Sequence, residues 1–272
     1  MKQGGVLEEA KLDALAEKVA GLIIGSKKLV VFSGAGISTE SGIPDFRSPG
    51  GIWERFDPDD FTYQKFVADP EARRKQWQLL GEGHLTTGAQ PNLAHYAIAE
   101  LDEMGRLDCV ITQNVDNLHQ KAGVPDEKVF ELHGNMQRAV CLNCGRLYSF
   151  EQIKLRLDGG EEIPDCEACH GMLKPNAVLF GEQLPYEVLT EAGNRSSGCD
   201  LFIVVGSTLV VYPAAYMPVY AVQAGARLVI INLSSTPMDG EADVLINAKA
   251  GETMTRIVDK VKEKTGSHRS GR

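Results

Sequence analysis

Long apolar runs and cysteine are scarce in this chain of 272 residues. No apolar run reaches the roughly 18 residues that a membrane-spanning helix needs, so we expect no membrane partner. Lys2 precedes no apolar segment with a cleavage site, which predicts no secretory signal and a cytoplasmic protein. Six cysteines are too few for a disulfide scaffold of this length.

Basic residues are fewer than acidic residues, and the formal net charge is −9 at pH 7. Proteins that bind nucleic acid rely on clustered lysine and arginine, so we expect no direct nucleic-acid partner. The negative balance suits weak attraction to basic, lysine-bearing protein segments, although an acidic surface equally serves solubility. The length favours one large domain with a smaller insert over two equal domains.

Short apolar runs alternate with helical patterns along the chain. The predicted strands span 28–33, 108–112, 129–132, 201–205, 227–232 and 243–246. The predicted helices span 8–24, 70–80, 91–104, 185–193, 213–224 and 252–264. Residues 48–88 carry several Gly and Pro breakers and form an insert. The alternation predicts an α/β fold with a mostly parallel sheet covered by helices on both faces.

Residues 31–47, VFSGAGISTESGIPDFR, begin like a dinucleotide-binding turn. The GAG at 34–36 follows an apolar strand and lets the backbone approach a pyrophosphate. Thr39 stands where the usual pattern has a third glycine, and Gly42 soon breaks any helix. Asp57 lies near the distance of the usual ribose-binding acid, but the segment before it has no strand pattern. The stretch therefore indicates NAD used for something other than hydride transfer.

Two CxxC pairs, separated by residues 145–165, predict a structural zinc site. Its four ligands would be Cys141, Cys144, Cys166 and Cys169. A pair of disulfides or buried free thiols is the alternative, although disulfides require an oxidising compartment. Four sulfur ligands leave no open position for a substrate. We expect His170 to be a bystander, and Cys109 and Cys199 to be small core residues.

Taken together, the motifs resemble those of the sirtuins, the NAD-dependent protein deacylases, and the match is to bacterial-type members. The matching segments cover about residues 28–250 in the order of the family. They are GAGIS at 34–38, GIPDFR at 42–47, TQNVDNLH at 112–119, ELHG at 131–134, the four cysteines, FGE at 180–182, GSTL at 206–209, and Asn232 with Thr236 and Pro237.

The resemblance implies two domains with the active site in the cleft between them. A Rossmann-like NAD-binding domain would span 1–48, 89–136 and 175–272. A helical insert over 49–88 and a zinc ribbon over 137–174 would form the small domain. The sheet pattern and the breakers indicate the same layout.

The resemblance also assigns catalytic roles to polar residues that follow predicted strands. His133 would be the general base, with Asn114 beside it, and the usual pKa of histidine suits this role at neutral pH. Asp116 and the Val115 backbone would bind the nicotinamide carboxamide, and Gln113 would contact a ribose. Asp116 could instead cap a helix formed by NLHQK. The other histidines that we considered, which are interpreted as structural, are His84, His95 and His119.

Further NAD contacts are implied along the nucleotide side of the cleft. They are Gly34, Ala35, Gly36, Thr39, Phe46, Arg47, Gly206, Ser207, Thr208, Asn232, Leu233 and Ala250. Phe46 would cover the reacting sugar against water, and the Arg47 guanidinium would meet phosphate. The family usually has Gly-Thr-Ser where this chain has Gly-Ser-Thr, which affects only the fine contacts because both residues donate hydrogen bonds.

The resemblance places an acylated peptide between two segments, to which it would add as a strand. One wall would contain Val178, Phe180, Gly181 and Glu182, and the other Val210, Val211 and Tyr212. The Val178 carbonyl would accept from the acyl-lysine N–H, and Phe180 would line the lysine tunnel. The alternative is an ordinary sheet-edge segment with Phe180 in the core.

The expected reaction is NAD-dependent removal of acetyl or other neutral acyl groups from protein lysines. Sirtuins that prefer acidic acyl groups carry Tyr-x-x-Arg on the insert helix, where this chain has Trp77 and Leu80. Alternatives are transfer of ADP-ribose to protein, removal of long acyl chains, and a catalytically silent binding module. A dehydrogenase is the weakest alternative, because the loop pattern and the lack of a ribose-binding acidic residue after a second strand oppose it.

Overall fold

Apolar runs of the chain form a six-stranded parallel sheet in the order β3-β2-β1-β7-β8-β9. The computed structural model describes residues 9–45, 57–82 and 88–266. The strands are β1 (Leu29–Ser33), β2 (Leu107–Thr112), β3 (Val129–Glu131), β7 (Leu201–Val205), β8 (Arg227–Ile231) and β9 (Val244–Ile246). Every residue of β1 and β7 is buried, as expected for central strands with both faces covered. The α/β prediction is therefore confirmed.

Helices cover both faces of this sheet. One face packs against α1 (Glu9–Gly25), α4 (Leu93–Glu103) and α9 (Ala250–Thr265). The opposite face packs against α7 (Tyr186–Gly198) and α8 (Tyr216–Gln223). Among the described residues, no helix combines the length and apolarity needed to cross a membrane.

The direction of chain progression reverses between β1 and β7. From β1 the chain moves outward through β2 to β3, and it later returns to the other side of β1 to form β7, β8 and β9. Loops after β1 and β7 therefore diverge at the carboxyl edge of the sheet. Such a switch point is where open α/β sheets bind ligands.

A second, antiparallel sheet has the order β5-β4-β6. Its strands are β4 (Gly134–Cys141), β5 (Leu147–Ser149) and β6 (Leu173–Ala177), and α6 (Phe150–Asp158) follows β5. The insert contributes α2 (Tyr63–Ala68) and α3 (Pro70–Gly81), and α3 packs on α6. An apolar cluster joins α3, α6 and this sheet. The division into two domains with the boundaries given above stays a prediction.

Most predicted elements occur with ends shifted by a few residues. Helix α7 continues past Gly193 to Gly198. A Cβ at Gly193 would lie 3.9 Å from the Tyr220 ring, so the glycine lies where α7 packs on α8. Helix α8 begins at Tyr216 because the preceding residues form a turn, in which Ala215 N–H donates to the Val211 carbonyl.

Candidate active site

Three glycines bring the loops after β1 and β7 into backbone contact at the switch point. Gly36 N–H donates to the Gly206 carbonyl at 2.8 Å, and Gly34 N–H donates to the Val205 carbonyl at 3.2 Å. A Cβ on Gly36 would lie 2.7 Å from the Gly206 carbonyl oxygen. Gly206 itself has φ +66°, a conformation that favours glycine. The contact requires residues without side chains at these positions.

The loop after β1 does not continue as a long helix. Residues Ala35–Ser41 form a 3₁₀ helix that ends at Gly42, whose φ is +83°. Thr39 is exposed, and its hydroxyl donates to the Gly36 carbonyl at 2.9 Å. This local structure agrees with the prediction that Gly42 breaks the dinucleotide-type helix.

The TQNVD segment begins at Thr112, the last residue of β2, and continues into the loop at the carboxyl edge of the sheet. Gln113 Nε2 donates to Ser207 Oγ at 2.7 Å and so links the loops after β2 and β7. Asn114 is buried, and its Nδ2 donates to the Gly34 carbonyl at 3.2 Å and to Ser38 Oγ at 3.1 Å. The structure thus brings Gln113, Asn114 and Ser207 together with the glycine loop.

Each carboxylate oxygen of Asp116 accepts a hydrogen bond from a different residue. Oδ1 accepts from Leu118 N–H at 3.0 Å at the start of α5 (Leu118–Ala122), although the N-cap position itself is Asn117 and not Asp116, the residue that the helix-capping alternative predicted. Oδ2 accepts from the Ser38 hydroxyl at 2.7 Å. Burial raises the pKa of Asp116, and the bonds from Leu118 and Ser38 oppose that rise. The side chain therefore ties α5 to the loop after β1.

The His133 ring has a defined tautomer because of one hydrogen bond. Its Nδ1 lies 2.9 Å from the Gln113 carbonyl oxygen, which can only accept, so Nδ1 carries the proton. Nε2 then holds the lone pair of the neutral ring. Burial lowers the pKa of His133 and favours this neutral form, while the bond to Gln113 acts in the opposite direction. A neutral imidazole oriented in this way can accept a proton at Nε2.

His95 lies on α4 and His119 on α5, and both are buried. Their ring centroids are 5.0 Å apart in an edge-on arrangement. His119 Nε2 lies 2.8 Å from Ser33 Oγ, which donates to Thr112 Oγ1 at 2.8 Å. Burial lowers the pKa of both rings, to about 4 for His95. Their environment matches the structural interpretation; His84 lies outside the described residues.

The segment around Phe180 is hydrogen-bonded to the residue before β4 and to the insert. Val178 N–H donates to the His133 carbonyl at 2.8 Å. Phe180 N–H donates to the Phe61 carbonyl at 3.0 Å, and Tyr63 N–H donates to the Phe180 carbonyl at 2.9 Å. The Phe180 side chain is 48% exposed. The alternative that Phe180 belongs to the core is therefore wrong.

The remaining predicted residues lie at loops after β7, β8 and β9. Val210 and Tyr212 are exposed and Val211 is half-buried in the loop after β7. Asn232, buried directly after β8, donates through Nδ2 to the Ser234 carbonyl at 2.9 Å. The other members of this group are Thr208, which is half-buried, Leu233, which is exposed, and Ala250, which starts α9. Phe46 and Arg47 lie outside the described residues.

Sequence reasoning missed the roles of Ser38 and Glu40. Ser38 bonds to both Asn114 and Asp116, and Glu40 Oε1 accepts from Gly251 N–H at 2.8 Å at the start of α9. The position of these hydroxyl and carboxylate groups just beyond a glycine turn could have indicated that the two residues belong to the site. Nothing in the sequence indicated their partners, which lie in distant segments.

The four cysteines predicted as ligands converge at one end of the small sheet. Their Sγ atoms all lie within 4.8 Å of one another, with Cys141 and Cys169 3.6 Å apart and Cys144 and Cys166 3.7 Å apart. Tetrahedral zinc with Zn–S bonds of about 2.3 Å separates sulfurs by about 3.8 Å. The cluster therefore fits a structural Zn²⁺ ion. Cys109 and Cys199 lie in the apolar core, as predicted.

Comparisons with known proteins agree with this geometry. The sequence profile described as "Sir2 family" matches residues 34–213. The chain is 46% identical to NAD-dependent protein deacylase 2 of Archaeoglobus fulgidus, over 90% of this chain and 95% of that protein. It is 46% identical to NAD-dependent protein deacetylase 1 of Bradyrhizobium diazoefficiens, over 89% and 94% of the two chains.

Solved structures give the same result. A chain from a study of the mechanism and regulation of Sir2 enzymes superposes with a TM-score of 0.82 at 45% identity, covering 93% of this chain and 99% of that one. A Sir2 complex with p53 peptide and NAD+ superposes with a TM-score of 0.80 at 40% identity, covering 92% and 98%. This chain belongs to the Sir2 family.

Proposed function

We propose that this protein removes acetyl groups from protein lysines with NAD+ as cosubstrate. Acetyl-lysine, NAD+ and water give lysine, nicotinamide and O-acetyl-ADP-ribose. The observation that carries the proposal is the His133 hydrogen bond to the Gln113 carbonyl, which leaves Nε2 as a base beside the TQNVD segment. Relatives named as NAD-dependent protein deacetylases support it.

The residues of the cleft would divide the reaction between them. NAD+ supplies a nicotinamide leaving group, and the acyl oxygen of the substrate replaces it at the ribose carbon. His133 would take a ribose hydroxyl proton at Nε2, and the Gln113 carbonyl would stabilise the resulting imidazolium. Asp116 and the Val115 backbone would hold the carboxamide, with Asn114 beside them. The buried network through Ser38 supports this assignment because it fixes both side chains.

The proposal extends to the nucleotide, the substrate and the division of the chain. The loops after β1, β7 and β8 would bind NAD+ phosphates and adenosine, since they follow parallel strands at the switch point of the sheet. An acetyl-lysine peptide would add as a strand beside Val178. The cleft would separate the Rossmann-like part from the insert and zinc ribbon. A cytoplasmic location is supported by thiolate ligands, which require reducing conditions.

Mass spectrometry of an acetyl-lysine peptide incubated with NAD+ tests this proposal. We expect a peptide lighter by one acetyl group together with nicotinamide and acetyl-ADP-ribose. Radiolabelled NAD+ in the same assay detects transfer of ADP-ribose to protein. A zinc-loaded sample that leaves both peptide and NAD+ unchanged contradicts the proposal.

A further inference from the structure

Lys174 on β6 is a buried cation that the reaction described above does not use. Its side chain is only 3% exposed. Its ammonium donates to the Pro175 carbonyl at 3.0 Å and to the Ala177 carbonyl at 2.6 Å, and it lies 3.0 Å from Glu182 Oε2. A buried ammonium is costly unless its donors are used, and here three acceptors surround it.

Glu182 is the anionic partner of Lys174 in this ion pair. Its Oε2 also accepts from Leu179 N–H at 2.9 Å, and Glu182 N–H donates to the Leu179 carbonyl at 3.0 Å. Gly181, with φ +77°, permits the tight turn between them. One carboxylate thus closes the turn over residues 179–182 and attaches it to β6.

The attached segment is the proposed peptide-binding wall. The Lys174 ammonium donates to the carbonyl of Ala177, the last residue of β6. The Ala177 carbonyl and the Val178 N–H belong to one trans peptide and point in opposite directions, so Lys174 and His133 hold this peptide from its two sides. The Val178 N–H is already bonded to the His133 carbonyl, which ties the wall to the base.

We infer that the Lys174–Glu182 ion pair is a positioning device for the substrate peptide. It fixes the backbone of residues 177–182 so that the Val178 carbonyl is held in place to accept from the acyl-lysine N–H. The inference rests on the proposed function and deepens it, because it assigns Glu182 to holding the wall and not to contacting the substrate. Burial lowers the pKa of Lys174, and the contact with Glu182 opposes that change.

Steady-state kinetics of four variants test the inference: Lys174→Met, Lys174→Arg, Glu182→Gln and the Lys174→Met/Glu182→Gln double variant. Misplacing a binding group by about 1 Å can cost up to about a hundredfold in rate, so we expect the peptide KM of Lys174→Met to rise about tenfold or more. The KM for NAD+ should change by less than about twofold, since the polar partners of Lys174 among the described residues are Pro175, Ala177 and Glu182, none of them in the nucleotide loops. Lys174→Arg keeps the charge and should recover part of the loss.

A matched control comes from Arg156 on α6, a half-buried cation paired with Glu161 and bonded to the Asp165 carbonyl. Arg156→Met should lower thermal stability without raising the peptide KM, because none of these partners belongs to the wall. Equal peptide KM shifts in Arg156→Met and Lys174→Met would mean that the effect is general destabilisation, which overturns the inference.

The double variant and Glu182→Gln complete the test. If the two side chains act as a pair, the peptide KM of the double variant rises no more than that of the more affected single variant. A fully additive rise in the peptide KM contradicts the pairing. Glu182→Gln preserves shape and provides a result even if Lys174→Met does not fold; an unchanged peptide KM overturns the inference. An inactive parent protein refutes the proposed function itself, whereas an active parent with unaffected variants refutes only the role of this pair.

Discussion

Individual residues differ in function here according to their hydrogen-bond partners. His133, His95 and His119 all have burial-lowered pKa values, but their partners differ: His133 Nδ1 faces the Gln113 carbonyl, whereas His119 Nε2 faces the Ser33 hydroxyl. The distinction depends on the Gln113 carbonyl, which selects the tautomer. At this scale, the proposed role of His133 depends on one acceptor 2.9 Å from a ring nitrogen.

Replacing His133 with alanine is expected to reduce kcat by about 10²- to 10⁴-fold, the usual contribution of a general base. The base must be neutral, and burial lowers its pKa below 6.5, so kcat/KM of the parent should fall only as the pH drops below 6.5. Initial rates against pH measure both effects. His133→Ala activity equal to that of the parent contradicts the assignment.

Gly36→Ala is expected to weaken NAD+ binding. The new Cβ would lie 2.7 Å from the Gly206 carbonyl oxygen, so backbone of two loops must move. A displacement near 1 Å corresponds to a loss of up to about a hundredfold, which should appear in the KM for NAD+.

Gly21→Ala on α1 is the control for this change, because nothing lies within 4 Å of its would-be Cβ. It should stabilise the fold by about 0.5–1 kcal/mol and leave the KM for NAD+ unchanged. Similar kinetics for the two variants would show that close packing at Gly36 is unimportant.

Whole elements determine which side chains are available to the substrate. Helix α3 directs Trp77 and Leu80 into the apolar cluster of the small sheet. Its arginines are also engaged: Arg73 donates to the Phe66 and Val67 carbonyls, and Arg74 pairs with Glu71 and Glu162. The helix therefore offers no guanidinium at the positions that favour acidic acyl groups.

We expect kcat/KM for an acetyl-lysine peptide to exceed that for the matching succinyl-lysine peptide. A succinyl carboxylate entering the cleft would lose water without gaining a guanidinium partner, which costs binding energy. Parallel assays with one peptide sequence and two acyl groups provide the measurement. A clear succinyl preference would refute the interpretation of Trp77 and Leu80.

Removing zinc should unfold the small antiparallel sheet, because β4, β5 and β6 supply little core of their own. Binding of structural zinc contributes on the order of 10 kcal/mol in small metal-dependent folds. Chelation, or Cys144→Ser, should therefore lower Tm and abolish deacetylation. Metal analysis should find one zinc ion per chain in the parent.

The control for zinc removal is Cys199→Ala, which alters a core cysteine outside the cluster. It should keep full zinc content and respond to chelation as the parent does. Unchanged circular dichroism and Tm after complete zinc removal contradict the structural role.

At the scale of the whole molecule, buried neutral histidines make stability depend on pH. The unfolded chain protonates a histidine near pH 6.5, whereas folded His95 resists protonation until about pH 4. Between these values the unfolded state binds more protons, so the free energy of unfolding falls as the pH falls. His119 acts in the same direction, since its pKa is also lowered by burial.

His95→Phe keeps an aromatic ring of similar size and removes one titrating group. Between pH 6.5 and pH 4 the free energy of unfolding of the parent should fall by about 3 kcal/mol more than that of this variant, from 1.36 kcal/mol per pKa unit. Urea unfolding of both proteins across this pH range, with metal content monitored, measures the difference. Parallel stability curves would exclude His95 as a source of acid sensitivity.

Local sequence determined the features that need only neighbouring residues. Apolar runs gave most strands of the parallel sheet, because a strand buried on both faces must be apolar throughout. The two CxxC pairs indicated zinc, since each pair places two thiolates within one turn of backbone. The motif ELHG indicated a histidine base, though not which ring nitrogen would act.

Only the tertiary structure decided how distant segments meet. The tautomer of His133 depends on a carbonyl from the TQNVD segment, and the burial of Lys174 depends on a turn that returns to β6. The apolar partners of Trp77 and Leu80 on the insert helix α3 come from β4, β5, β6 and α6, which are distant along the chain. Hydrogen-bond direction, burial and charge pairing depend on three-dimensional distance, and separation along the chain does not encode that distance.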